Sequence, residues 1–177
     1  MKPMHKAGLA AAVASVAVVG AFTVTNIYST STQTADSSVG EVAPGEFTAR
    51  EITVYMDPNC GCCGGWAEYM EAHGHQVTIE RTNQIAAVKS DHQVPPSMMS
   101  CHTAVIDGMV IEGHIPADAV EQFLTMSELP FGDQTVGIAV PGMPHGSPGM
   151  ETGYYDDYDV LAFTADGDTA VIQEVRH

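Results

Sequence analysis

The sequence predicts a single α/β domain. Strand and helix patterns alternate from residue 51 onward, cysteines crowd the first strand-to-helix junction, and a tight turn joins two later strands. "EITVYM" (51–56) alternates and is β-branched, so it reads as a strand. Pro58 and Gly61 break that pattern. Residues 62–72 place Trp66, Tyr69 and Met70 at helical spacing, with Gly74 as a stop. "HQVTIERT" (75–82) is a second strand, and residues 84–89 form a short helix. "TAVI" (103–106) and "MVIEG" (109–113) are strands joined by Asp107-Gly108, a pair suited to a two-residue hairpin turn. Pro116 opens a third helix over "ADAVEQFLTM", where proline is best tolerated. "GIAVPGMPHGSPGME" (137–151) reads as a Gly/Pro loop, and "YDVLAFTADGDTAVIQEV" as a closing β-hairpin about residues 165–168.

The ends of the chain are of a different kind. Lys2 and Lys6 precede an uncharged run, residues 7–24, so residues 1–27 read as a targeting segment. The run fits either a cleaved signal peptide or an N-terminal membrane anchor. Both place the rest outside the cytoplasm, where thiols meet oxidants. Residues 28–47 are rich in Ser, Thr, Gly and Pro and read as a flexible linker, with the folded domain at 48–177. The formal charge of −16 argues against a nucleic-acid partner, which needs a basic footprint. The 22 acidic residues are scattered along the chain beyond residue 35, which favours a solubility role over attraction for cations.

Three of the four cysteines, Cys60, Cys62 and Cys63, lie in "CGCC". A CxxC between a first strand and a first helix, in the order strand, helix, strand, helix, strand, strand, helix, marks a thioredoxin-like fold. A helix start favours thiolate over thiol. For disulfide exchange Cys60 is the attacker and Cys63 the resolving partner, one turn later. Cys62 has no task in that scheme. Metal binding gives it one, because crowded thiolates select Cu(I) and zinc. The segment entering the third strand packs beside the CxxC in this fold, and here it carries Cys101-His102. Adjacent residues are not the usual second half of a zinc site, whereas four thiolates can bridge several Cu(I) ions. Pro95 and Pro96 stand several residues before the position of the usual thioredoxin cis-proline.

"CGCCGGW", "SCHTAVIDGMVIEGHIPADAV" and "GIAVPGMPHGSPGME" together resemble the CopG-type copper-resistance family of periplasmic thioredoxin-like metal-binding proteins, once labelled a domain of unknown function. The resemblance runs from about residue 51 to 163. It implies copper handling at the bacterial envelope, in the periplasm or on the outer face of the inner membrane. It implies Cys60, Cys62, Cys63 and Cys101 as copper ligands. Copper redox activity is a further function suggested for the family. Copper ions, and envelope copper-export or redox proteins, are the partners this reading expects. The alternative is an enzyme, a thiol–disulfide oxidoreductase working through Cys60 and Cys63.

His102 adjoins Cys101 and is a candidate site residue. Met143, His145 and Met150 lie in the Gly/Pro loop, which could fold over the cysteines as a lid; thioether and imidazole suit copper. His114 could cap the helix that follows or approach the site from the fourth strand, and the structural role is the reading favoured; His73 and His75 are read as solvated turn residues. Met56, Met70, Met109, Met126 and Trp66 are read as core.

Overall fold

The computed structural model describes residues 48–177. The targeting segment and linker expected at 1–27 and 28–47 lie outside the described residues. The elements run β1 (Glu51–Met56), α1 (Gly61–Ala72), β2 (Gln76–Arg81), α2 (Ile85–Asp91), β3 (His102–Ile106), β4 (Met109–Glu112), α3 (Ala117–Leu124), β5 (Thr135–Ala139), β6 (Tyr158–Thr164) and β7 (Thr169–Val175). One-turn 3-10 helices at Pro96–Met98 and Gly132–Gln134 precede β3 and β5.

The strands form one seven-stranded sheet in the order β2-β1-β3-β4-β5-β6-β7. β1 and β2 are parallel, with Val54 opposite Ile79. β3 runs antiparallel to both β1 and β4, with Ala104 opposite Val54 and Ile111. The first four strands, with a helix after β1, β2 and β4, have the order and directions of a thioredoxin-like α/β fold. β5 then joins β4 in parallel, and β6 and β7 complete the sheet as an antiparallel hairpin.

Side chains alternate across the pleat, which gives the sheet two apolar faces. On one face Ile52, Val54, Ala104, Ile111, Ile138 and Ala162 pack against Trp66 and Met70 of α1 and Val120 and Phe123 of α3. On the other, Val110, Ala139 and Phe163 pack against Val94 and Met98. Trp66 is wholly buried, and its indole N–H donates to the Ile115 carbonyl at 2.9 Å, which ties α1 to the entry of α3. The Tyr69 hydroxyl accepts from the Ala117 N–H at 3.1 Å and serves the first turn of α3.

The loop expected from residue 137 starts later, because Gly137, Ile138 and Ala139 belong to β5 between β4 and β6. Gly137 permits that pairing: a β-carbon there would overlap the Val110 carbonyl. Gly137→Ala is expected to destabilise the protein by roughly 1–3 kcal/mol. Unchanged thermal denaturation of that variant would show that β4 and β5 can separate without loss. α3 ends at Leu124, so Met126 falls outside it and is 37% exposed, whereas Met56 and Met70 are core and Met109 is half-buried. His75 is not solvated but 5% exposed, under the turn from α1 to β2. Neither of its ring nitrogens has a hydrogen-bond partner among the described residues.

Candidate metal centre

The sulfurs gather where β1 ends and α1 begins. Extended Cys60 caps α1, and Cys62 and Cys63 follow in its first turn. Cys101 enters from the residue before β3, the neighbour of β1 in the sheet. The four Sγ atoms lie within 4.8 Å of one another. Cys63 is wholly buried, while Cys60, Cys62 and Cys101 are half-buried. Cys60 and Cys63 form a disulfide, and Cys62 and Cys101 are free thiols. The Cys62 sulfur stands 3.5 Å from that of Cys60.

A buried polar cluster fixes Cys101 from behind. The Glu112 carboxylate, wholly buried on β4, accepts from the Ser100 N–H at 2.6 Å, from Lys89 Nζ at 2.5 Å and from the Thr103 hydroxyl at 2.7 Å. Lys89 reaches it from α2 and also donates to the Thr103 hydroxyl at 3.1 Å. A buried carboxylate must be paired and hydrogen-bonded, and this one is. The peptide leading into Cys101 is therefore held by a carboxylate rather than by a sheet partner alone.

Two imidazoles flank Cys101. His102 Nδ1 lies 3.3 Å from its sulfur and His114 Nε2 lies 2.9 Å from it. His114 Nδ1 is 2.7 Å from the Pro148 carbonyl, which can only accept, so Nδ1 carries the proton. Nε2 is then a bare lone pair, and the Cys101 S–H donates to it. Burial, and after it the neighbouring Cys62 thiol, push the Cys101 thiol up to about 12. His102 is wholly buried, its ring 4.7 Å from that of Trp66, and its Nε2 has no hydrogen-bond partner among the described residues. Cys101, His102 and His114 form a second group whose ligand atoms lie within 4.8 Å of one another.

His114 therefore belongs to the site, contrary to the structural role expected for it. Its neighbours are distant in sequence: Gly113, at φ 82°, ends β4 and turns the next residue toward Cys101, while Pro148 comes from the Gly/Pro loop. "Gly-His" before Ile115-Pro116 was the signal available. The Gly/Pro loop does approach the cysteines. Gly149 packs on the first turn of α1, where a β-carbon would meet the Trp66 N–H and the Cys62 carbonyl. The Ser100 hydroxyl donates to the Gly142 carbonyl, and the Gly142 N–H donates to Met99 O at 3.1 Å. The candidates within the loop fare differently. Met143 is 53% exposed, and His145 bonds Asp156 at 3.0 Å and belongs to neither group of clustered ligand atoms. Met150 is half-buried, with its N–H bonded to Ser147 O.

Burial lowers the pKa of His75 and His114 and takes His102 well below the usual imidazole range. The folded protein holds these rings neutral, while the unfolded chain takes up protons near pH ~6.5. The unfolded state binds more protons below that pH, so acidification favours it. The metal-free protein is expected to show a falling Tm from about pH 7 to about pH 5.5. A flat or rising Tm over that range would contradict the buried neutral assignment.

Sheet order and cysteine position define a thioredoxin-like α/β protein with a candidate thiolate metal centre at the head of its first helix. Two solved structures named "Copper resistance protein copG", forms 1 and 2, each share 44% identity with this chain at a TM-score of 0.66, covering 73% of it and 100% of theirs. A family model described as "Protein of unknown function, DUF411" matches residues 98–150. No curated protein matches. The chain belongs to the CopG-type copper-resistance family.

Proposed function

We propose that this protein serves copper tolerance by binding Cu(I), as cargo, through Cys60, Cys62, Cys63 and Cys101. The observation that carries this reading is the convergence of four sulfurs from two separate elements within 4.8 Å. Four soft donors suit Cu(I) and sit too close together to serve one disulfide alone. The Cys60–Cys63 disulfide must open first: an external dithiol gives it two electrons and two protons and leaves as a disulfide. Metal then displaces the thiol protons, and for Cys101 the nearest base is His114 Nε2. Shared sulfurs suit a polynuclear arrangement better than a single tetrahedral ion. His102 and His114 stand where they can complete or orient the set.

Location is part of the proposal. Lys2, Lys6 and the uncharged run behind them support export to the periplasm or the outer face of the inner membrane. There the partners would be copper ions and envelope copper-export or redox proteins.

The test is an anaerobic Cu(I) titration of the reduced full-length chain against a competing chelator. Several tightly held Cu(I) per chain are expected, and fewer in Cys62→Ser. Unchanged stoichiometry in that variant would end the shared-cluster reading.

The Cys60–Cys63 disulfide favours a second reading, a thiol–disulfide oxidoreductase using that pair. It predicts turnover of a disulfide substrate by the metal-free reduced chain. No turnover there leaves the copper reading alone.

A further inference from the structure

With Cys60 and Cys63 joined, two thiols remain, and they face one another. Cys62 comes from the first turn of α1 and Cys101 from the entry to β3. Their sulfurs belong to the cluster of four that lie within 4.8 Å of one another. Both are half-buried, so a small reagent can reach them. Sulfurs this close lie within reach of side-chain rotation. Neither thiol has a task in exchange through Cys60 and Cys63.

We propose that Cys62 and Cys101 are a second redox-active pair, oxidised to a disulfide in a chain that already holds Cys60–Cys63. The oxidant is an external disulfide. The Cys62 thiolate attacks one of its sulfurs, that S–S bond breaks, and the departing thiolate takes up the proton Cys62 lost. Cys101 loses its proton and attacks the Cys62 sulfur of the mixed disulfide. The second external thiolate leaves with that proton. One external disulfide becomes two thiols, and the pair gives up two electrons and two protons. The chain as a whole thus stores four electrons in its sulfurs.

The pairing would act across the fold. Cys60–Cys63 closes within one helix start, whereas Cys62–Cys101 would fasten α1 to β3. The step needs no metal and stands whether or not the four sulfurs hold copper. Where they do, a chain with both disulfides closed offers no thiolate to Cu(I).

The experiment uses the full-length chain, reduced and metal-free, incubated with oxidised glutathione and quenched with an alkylating reagent. Non-reducing digestion and mass spectrometry then assign each cysteine. The expected result is loss of all alkylation, with Cys62 linked to Cys101. Cys101→Ser is expected to stop with one glutathione on Cys62, because the resolving thiol is gone. Cys62→Ser is expected to leave Cys101 alkylated or carrying glutathione, which keeps the test open if Cys101→Ser does not fold. The proposal is overturned if Cys62 and Cys101 of the unmodified chain stay alkylated after Cys60–Cys63 has closed. It is overturned equally if each ends with its own glutathione, or if Cys101 of the Cys62→Ser chain escapes both reagents.

Discussion

Lys89→Met is expected to destabilise the protein by about 3–5 kcal/mol. Lys89 is 4% exposed, and its ammonium is the only cation on the Glu112 carboxylate among the described residues. Methionine fills similar volume but carries no charge, so Glu112 stays in the interior with only the Ser100 N–H and the Thr103 hydroxyl as donors. An uncompensated buried charge is the costly half of a broken pair. The loss should appear as a fall in Tm of roughly 10 °C. Adding Glu112→Leu should recover part of it, since the stranded charge is then gone. A fall of less than about 1 kcal/mol would mean that water reaches Glu112 and the pair is not sealed. Both elements that carry the pair, α2 and β4, border the Cys101 strand, so unfolding and copper capacity should decline together.

Cys101→Ser is expected to weaken Cu(I) binding at least ~100-fold, the upper end of what losing even an outer partner costs a metal site. Cys101 is the one sulfur of the four that does not come from the N-cap or first turn of α1. Without it the remaining three would all come from the N-cap and first turn of α1, and neither His102 nor His114 belongs to their group of clustered ligand atoms. A hydroxyl is a hard donor that Cu(I) does not prefer. Competition against a chelator of known affinity measures the change, and Lys89→Met at a temperature where it stays folded separates ligand loss from misplacement. Affinity within about threefold of the unmodified chain would show that Cys101 is not a ligand.

Much of the fold was legible because its signals are local. The alternation in "EITVYM", the Asp107-Gly108 turn and Pro116 ahead of α3 each act over a few residues, and each element stands where those residues put it. The cysteine cluster was legible through one fold-level inference, that the strand after α2 lies beside the CxxC. What escaped depends on partners far away in the chain. The first residues of the Gly/Pro stretch became β5 because Ile138 and Ala139 are buried between two other strands, a fact no local pattern carries. Lys89 is the last residue of the short helix expected at 84–89, and only the register of Thr103 opposite Glu112 brings its counter-charge to it. His114 gained its place through Cys101 and Pro148, 13 and 34 residues away.

The seven-stranded sheet has one more consequence, for how the molecules behave toward each other. Among the described residues, β2 and β7 are the two edge strands of this sheet. Unpaired peptide groups along such margins recruit strands from neighbouring molecules and seed aggregation. Here β2 carries exposed Glu80 and Arg81 and β7 carries exposed Glu174, so a second copy stacking on either margin would have to accommodate charge. The chain's formal charge of −16 opposes that approach from further out. Charge on both edges and the net negative charge of the chain thus oppose edge-to-edge association of copies.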